Sequence, residues 1–242
     1  LGATFAAMGQ GAQAEQAYGR AIKLDPQNAE IHANLARYYQ GVKAHDQAIQ
    51  SFQTALKYAP NNPTLHYNIG LSYQILGQIG PAIRSYQETV SMNAHLPEAW
   101  NNLGVVQQMD GDFEGALESY RKSLKLRNNY AEAHNNLGTL YNLQDMHAPA
   151  KECFETAIHH NAKYAPAYTN LCELLEKLNQ LQDMLGIVAS AKEQFETLPA
   201  DLRYFEALGI YRQKDFEQGQ HLIADITVDQ ISEQRKTSFL HL

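Results

Sequence analysis

Apolar side chains recur along this chain at the spacing of amphipathic helices, and the helical segments come in pairs. Between Pro97 and Tyr130, the first segment carries Trp100 and Leu103 on one helix face, and the second carries Ala116 and Tyr120. A short Gly-Asp turn separates the two segments. Neither helix can bury its apolar face alone. The pattern therefore predicts two helices that pack on each other and on neighbouring pairs.

The same pattern recurs every 34 residues without a gap. With Pro97 as position 1, each repeat has an apolar residue at position 7, a small residue at position 20 and an aromatic residue at position 24. A small residue where two helices approach, followed one turn later by an aromatic residue, suits close helix packing. Position 7 is Leu35, Ile69, Leu103, Leu137 and Leu171; position 20 is Ala14, Ala48, Ala82, Ala116 and Ala150; position 24 is Tyr18, Phe52, Tyr86, Tyr120 and Phe154.

This motif resembles that of the tetratricopeptide repeat family, because Trp100-x2-Leu103-Gly104 is followed by Ala116-x3-Tyr120 at a 34-residue period. The resemblance implies an all-α solenoid, a right-handed superhelix of antiparallel helix pairs. We expect a regular array over residues 1–198, with a truncated first repeat and six registers. Met184 takes the small-residue position of repeat six and should splay that helix pair. Residues 199–242 are expected to form a degenerate seventh repeat and a terminal helix, with segments at 202–212, 216–226 and 231–242.

Position 6 of five consecutive repeats is asparagine. At 100° per residue it lies opposite the packing positions 4, 7, 8 and 11, on the face expected to line the hollow of the superhelix. Asparagine is a poor residue inside a helix, so helix propensity does not explain the row. Each amide can pair with an N–H and a C=O group of an extended peptide, or the amides can bridge neighbouring helices. The asparagine row comprises Asn34, Asn68, Asn102, Asn136 and Asn170.

Residues at two further sets of repeat positions flank this row and complete the predicted peptide-binding site. Position 12 holds mostly amides, and we place Gln74, Gln108 and Asn142 in the site. Positions 9 and 13 of the middle repeats are largely apolar, and include Val105 and Met109. Such residues suggest a ligand-binding patch, although superhelical curvature can also bury them.

The asparagine row resembles the tetratricopeptide arm of O-linked N-acetylglucosamine transferases, in which asparagines at this repeat position clasp the substrate backbone. The resemblance implies the same role for the five asparagines here, and it covers the repeats only. Residues 231–242 also resemble the repeat that precedes the catalytic domain in tetratricopeptide-containing sulfotransferases. The chaperone-binding branch of the family, with Lys and Arg in its groove, is less similar, because position 2 here holds Glu30, Glu98 and Glu132.

Composition narrows the classes of partner. The net charge is −7 without a clustered basic face, which argues against nucleic acid or an anionic membrane. The sequence has no run of 18 apolar residues, so it predicts no transmembrane helix. His32, His66 and His134 lie on separate repeats, too far apart to share a metal ion, so packing is their expected role. The side chains of the adjacent residues His159 and His160 are expected to point away from each other on their helix. We expect no metal, no cofactor and no catalytic residues.

The leading hypothesis is a non-catalytic module that binds a protein or an extended peptide. One alternative is the substrate-recruiting arm of a larger glycosyltransferase or sulfotransferase, and another is a scaffold for complex assembly. The chain begins at Leu1 within a helix and without Met. We therefore expect a piece of a longer protein, with uncapped end repeats that can associate with each other. The two cysteines, Cys153 and Cys172, are too few for a disulfide framework, so a reducing compartment is compatible and the cytoplasm is favoured.

Overall fold

The computed structural model describes residues 1–213, in which every regular element is an α-helix. The chain divides into two compact units, Leu1–Leu126 and Arg127–Leu242. The first unit contains α1 (Gly2–Ala7), α2 (Gly11–Leu24), α3 (Ala29–Gly41), α4 (His45–Tyr58), α5 (Pro63–Ile75), α6 (Ile79–Met92), α7 (Pro97–Asp110) and α8 (Phe113–Leu126). The second contains α9 (Ala131–Leu143), α10 (His147–His160), α11 (Ala165–Lys177), α12 (Leu181–Gln194) and α13 (Ala200–Arg212). The all-α, repeated arrangement predicted from the sequence is confirmed.

The segment expected at 202–212 is part of α13, whereas those expected at 216–226 and 231–242 lie outside the described residues. None of the helices described up to Gln213 is long and apolar enough to cross a membrane.

The turn inside each repeat has the same backbone conformation. Position 15 has positive φ in every described repeat, and it is glycine in three of them, at Gly9, Gly77 and Gly111 (φ +71°, +70° and +86°). In the others it is Lys43, Asp145 or Asn179, with φ of 56–61°. The left-handed conformation ends the first helix and turns the chain back within a few residues. Repeat length is therefore conserved even where glycine is not.

In repeats one, three, four and five, a glycine at position 8 faces the aromatic ring at position 24, whereas repeat two has Ala36 there and packs as extensively. A Cβ atom on Gly104 would lie 2.7 Å from a Tyr120 ring atom, and one on Gly138 would lie 2.7 Å from the Phe154 ring. Repeat six has Cys172 and Met184 at positions 8 and 20, where the others have small residues. Its helices α11 and α12 approach each other over fewer residues than α7 and α8 do, as the larger Met184 predicts.

In four repeats, the ring at position 4 attaches the first helix to the turn before it. Trp100 Nε1 donates to the carbonyl of Ala94 (2.9 Å), and His134 Nε2 lies 2.8 Å from the carbonyl oxygen of Asn128. His32 and Tyr168 make the same contact with the carbonyl six residues back. These bonds agree with the structural role predicted for His32 and His134.

The expectation that His159 and His160 diverge is wrong. Their ring centroids lie 5.3 Å apart, and His134 lies 5.4 Å from His160. The three rings meet at the end of α10, because α9 packs alongside it and brings His134 to the same place. Desolvation lowers the pKa of His160, and repulsion from the charged forms of His134 and His159 lowers it further.

Candidate functional site

In the first unit, the asparagine row lies on α3, α5 and α7, which are neighbours. Gln40 Nε2 on α3 donates to the Asn68 carbonyl of α5 (3.0 Å), and Asn102 Nδ2 on α7 donates to the Tyr67 hydroxyl of α5 (3.1 Å). Asn34, Asn68 and Asn102 are all half-buried. The face predicted for the row is therefore partly accessible.

The side chains of these three asparagines have different partners. Asn34 Oδ1 accepts from the Arg37 guanidinium. Asn68 Nδ2 donates to the carbonyl of Thr64 in its own helix (2.7 Å), and its Oδ1 has no partner among residues 1–213. The Asn102 amide instead bridges two helices. A ligand therefore meets a different amide at each repeat.

In the second unit, Asn136 and Asn170 are half-buried on α9 and α11. Asn170 Nδ2 donates to Asn135 Oδ1 (2.9 Å) and lies 3.4 Å from Thr139 Oγ1. Asn102 and Asn170 thus make equivalent bonds, from position 6 of one repeat to position 5 of the repeat before it. These are the bridges that the structural interpretation of the row predicts.

The amides at position 12 fasten the two helices of a repeat together where position 24 is tyrosine. The Tyr86 hydroxyl donates to Gln74 Oε1 (2.7 Å), and the Tyr120 hydroxyl donates to Gln108 Oε1 (3.1 Å). Burial raises the pKa of both tyrosines above the ordinary range. The predicted site residues Gln74 and Gln108 therefore have a structural partner that the sequence pattern did not reveal.

Where position 24 is phenylalanine, this hydroxyl is missing and the position-12 amide behaves differently. Gln40, opposite Phe52, extends to α5 and donates to the Asn68 carbonyl (3.0 Å) and to Ser72 Oγ (2.9 Å). Asn142, in the repeat of Phe154, is one methylene shorter. Its Oδ1 is buried without a hydrogen-bond partner.

An apolar strip lies beside the asparagine row in the first unit. It consists of Leu71 and Val105, which are half-buried, and Ile75 and Met109, whose exposed fractions are 64% and 58%. The predicted site residues Val105 and Met109 therefore belong to a partly accessible apolar surface, and curvature does not bury it. Isolated apolar residues are common on surfaces, but four on adjacent helices form a patch.

The second unit has a pocket of about 180 Å³ between α9, α10 and α11. It brings together predicted site residues and others that the sequence analysis missed. The missed residues include Phe154 and Glu173. The sequence does carry a signal for this pocket. In repeat five, Phe154 stands at position 24 where repeats three and four have tyrosine, and Asn142 stands at position 12 where they have glutamine. The lining residues are Thr139, Asn142, Leu143, Phe154, Asn170 and Glu173.

Comparison with known protein families identifies the repeat. A family model described as "TPR repeat" matches residues 2–41, 43–77 and 110–145, and one described as "Tetratricopeptide repeat" matches residues 63–95. The chain belongs to the tetratricopeptide repeat family. Repeats of this family are generally non-catalytic protein-interaction modules, and the matches support a protein-interaction role for the chain. The more specific resemblance to the arm of glycosyltransferases has no support in these matches.

Solved tetratricopeptide structures share the fold at low sequence identity. A tetratricopeptide repeat protein from Parabacteroides merdae is 16% identical, with a TM-score of 0.77 over 99% of this chain and 94% of that chain. MamA is 23% identical, with a TM-score of 0.64 over 68% and 96%. YrrB, whose structure is described as "a TPR protein with an unusual peptide-binding site", is 18% identical, with a TM-score of 0.58 over 85% and 96%. No match was found among curated protein sequences.

Proposed function

We propose that the first unit binds an extended peptide across α3, α5 and α7. The apolar strip of Leu71, Ile75, Val105 and Met109 takes apolar side chains of the ligand, and the amides of the asparagine row pair with its backbone. The observation that carries this proposal is the exposed apolar strip directly beside partly accessible amides. Protein binding is the general role of the family, and YrrB, a neighbour in fold, is described as having a peptide-binding site.

Helix and strand geometry suit such a ligand. Adjacent packed helices lie about 8–10 Å apart, and an extended chain rises about 3.3 Å per residue. Successive first helices would thus meet the ligand roughly every three residues. Because backbone pairing does not read side chains, sequence preference should come mainly from the apolar strip.

Asn68 is the amide best suited to bind the backbone. Its Oδ1 has no partner within the described part of the chain, and its Nδ2 bonds only within its own helix. Asn102, by contrast, already bridges to Tyr67. We expect Asn68→Ala to weaken peptide binding by about 0.5–1.5 kcal/mol. Its effect on stability should be neutral or slightly favourable, since alanine is the better helix former.

The test uses an array of unstructured 12-residue peptides to find binders, followed by affinity measurements and thermal melts of Asn68→Ala and Asn102→Ala. Asn102→Ala should weaken binding and also destabilise the fold by about 1 kcal/mol, because it loses the helix bridge. The matched control is Tyr67→Phe, which removes the bridge partner and retains both asparagines. It should lower stability with little change in peptide affinity.

A second arm of the same test removes the apolar strip. Ile75→Asp and Met109→Asp alter exposed side chains, so the fold should persist while affinity for apolar peptides falls. Leu24→Asp, at a more exposed position (87%) on α2 away from the strip, serves as the control. Unchanged peptide affinity in Asn68→Ala and in both strip variants would falsify the proposal.

The wider roles are separate proposals with their own tests. As the recruiting arm of a larger transferase, the chain would be fused to a catalytic domain, and the parent reading frame decides this. As a scaffold or a self-associating end repeat, it would form complexes whose mass rises with concentration in sedimentation experiments.

A further inference from the structure

The pocket of the second unit occupies a place that side chains fill in two repeats of the first unit. The equivalent place between α1, α2 and α3 is open, and it has Ala6 and Arg37 where the second unit has Asn142 and Glu173. Between α5, α6 and α7, the Tyr86 hydroxyl and Gln74 close the corresponding space with a 2.7 Å hydrogen bond. Between α3, α4 and α5, where position 24 is Phe52, the long Gln40 side chain closes it by bonding to Ser72. The molecule therefore contains two ways of closing this space.

Three substitutions together prevent both closures in the second unit. Phe154 lacks the hydroxyl of Tyr86, and Asn142 is one methylene shorter than Gln40. Leu174 stands at position 10 of the next repeat, where Ser72 supplies the hydroxyl that Gln40 contacts. The result is an open pocket beside the buried Asn142 Oδ1, which has no hydrogen-bond partner among residues 1–213. A buried carbonyl without a partner is unfavourable, so a donor that enters the pocket would be stabilised by pairing with it.

Acceptor groups dominate the polar side of this pocket. They are the Asn142 carbonyl oxygen, the carboxylate of Glu173 and Thr139 Oγ1, whose own hydrogen is donated to the Asn135 carbonyl (3.0 Å). Glu173 already interacts within the molecule, but the two oxygens of a carboxylate can accept several hydrogen bonds at once. The Phe154 ring and Leu143, whose exposed fraction is 58%, supply the apolar side. A ligand that satisfies this arrangement carries several N–H donors and positive charge at the end of an alkyl chain.

We propose that the pocket lined by Thr139, Asn142, Phe154 and Glu173 binds a primary alkylammonium group, specifically the side chain of a lysine in a bound peptide. The ammonium donates to Asn142 Oδ1, after a small rotation of that amide about χ2, and to the Glu173 carboxylate. The alkyl stem lies on Leu143 and Phe154. This inference rests on the proposed peptide binding and adds a residue preference to it. The net charge of −7 favours approach of a cationic ligand.

A single ordered water does not account for the pocket as well as a side chain does. One water requires only about 10–15 Å³ of cavity space, which is small beside 180 Å³. A water also gains nothing from the alkyl-sized apolar wall of Leu143 and Phe154. A guanidinium group is broader and planar, and serves as a comparison ligand.

The experiment titrates n-butylammonium, the analogue of the lysine side chain, into the isotopically labelled protein and follows the Asn142 and Asn170 side-chain amides by NMR. The comparison ligands are n-butanol, which has no charge, tetramethylammonium, which has no N–H donor, and n-propylguanidinium. We expect n-butylammonium to shift the NMR signal of the Asn142 side-chain amide at concentrations where the three comparison ligands leave it unchanged. Equal shifts with tetramethylammonium, or no shift with n-butylammonium, would overturn the proposal.

Two variants sharpen the test. Glu173→Gln keeps the shape and removes the charge, and should weaken n-butylammonium binding by about tenfold or more, since one charge-assisted hydrogen bond is lost. The double variant Asn142→Gln/Phe154→Tyr recreates the Gln74–Tyr86 closure, and should abolish binding while raising the melting temperature. Binding that survives in both variants contradicts the proposal, and Glu173→Gln alone suffices if the double variant does not fold.

Failure of this inference differs from failure of peptide binding as a whole. Peptides that bind the first unit, together with no response of the Asn142 amide signal to n-butylammonium, leave the peptide proposal intact and overturn only the lysine pocket. Binding of n-butylammonium without binding of any peptide supports the pocket and overturns the peptide proposal.

Discussion

At the scale of single residues, burial decides the chemistry of groups that the sequence leaves ambiguous. Cys153 on α10 packs against Gly138 of α9. A Cβ atom added to Gly138 would lie 3.1 Å from the Cβ atom of Cys153. Burial and the nearby Glu152 carboxylate raise the pKa of this thiol to about 11, from an ordinary 9.0. Burial and then Glu132 raise the pKa of Tyr164 to about 12, from 10.0. Cys153 is therefore a packing residue, because its reactive thiolate form is suppressed.

These two pKa values predict a loss of stability at alkaline pH. Both groups lose their proton more readily in the unfolded chain. Their contribution to the free energy of unfolding is therefore fully present below pH 9 for Cys153 and below pH 10 for Tyr164. It is lost as the pH rises to about 11 and 12, respectively. The free energy of unfolding, measured by urea denaturation, should fall over this range. Cys153→Ala should remove the decline between pH 9 and 10 and make it less steep between pH 10 and 11, where Tyr164 still contributes.

The same shift predicts slow alkylation of Cys153 in the folded protein. At pH 8, the thiolate fraction should be about a hundredfold lower than in the urea-unfolded chain, because the thiol pKa differs by about two units. Mass spectrometry of the Cys153 peptide after iodoacetamide treatment measures both rates. Equal rates in the folded and unfolded protein would contradict the assigned burial.

At the scale of the helix, one contact sets how closely the two helices of a pair approach. Gly70 and Gly104 each face a tyrosine ring, and an added Cβ would lie 2.8 and 2.7 Å from it. Atoms cannot remain that close, so the ring or the helix must move. Repeat two has Ala36 at this position and its helices are joined as extensively, so the contact matters where the ring has packed directly against a glycine. The glycine at position 8 therefore matters for packing, whereas its backbone is ordinary helix.

Gly104→Ala tests this contact. The added methyl group collides with the buried Tyr120 ring, and we expect a loss of about 1–3 kcal/mol in the free energy of unfolding. Gly19→Ala is the control, because Gly19 is an exposed helix residue with nothing within 4 Å of its added Cβ. That change should stabilise the protein by up to about 1 kcal/mol through helix propensity. A Gly104→Ala variant as stable as the wild type would remove the proposed packing role.

At the scale of the whole molecule, stability in a repeat protein depends on how many neighbours each helix has. Within the first unit, α1 has six residues and buries only Gly2, and α2 buries only Ala14 and Tyr18. The corresponding α4 buries four residues, including Ile49 and Phe52. The first repeat is therefore the part of this unit with the least buried surface.

Hydrogen exchange should follow that difference. We expect amides of residues 1–25 to exchange faster than those of α4, because local opening there exposes less apolar surface. Peptide-resolved mass spectrometry compares the two segments in one experiment, with α4 as the internal reference. Protection of α2 equal to that of α4 would contradict this expectation.

The sequence by itself determined the helices, their pairing and the faces they use. A period of 34 residues is visible because each repeat must solve the same packing problem with the same residue types, such as Ala116 opposite the first helix and Tyr120 one turn later. The segment predicted at 202–212 is the helix Ala200–Arg212, so its predicted ends agree with the structure within two residues. Exposed Met109 and buried Leu103 also follow directly from helix geometry, since 100° per residue assigns each position to a face.

Only the tertiary structure decided what the polar side chains do. Asn68 and Asn102 occupy the same repeat position, yet one bonds within its own helix and the other bridges to Tyr67. The partner depends on which residue the preceding repeat places within about 3 Å, and periodicity carries no such information. The pocket beside Asn142 arises in the same way, from the combined absence of a hydroxyl on Phe154 and of a serine at position 174. Hydrogen bonds require specific atoms at specific distances, whereas apolar packing requires only the right face, and this is why the fold was predictable and the site was not.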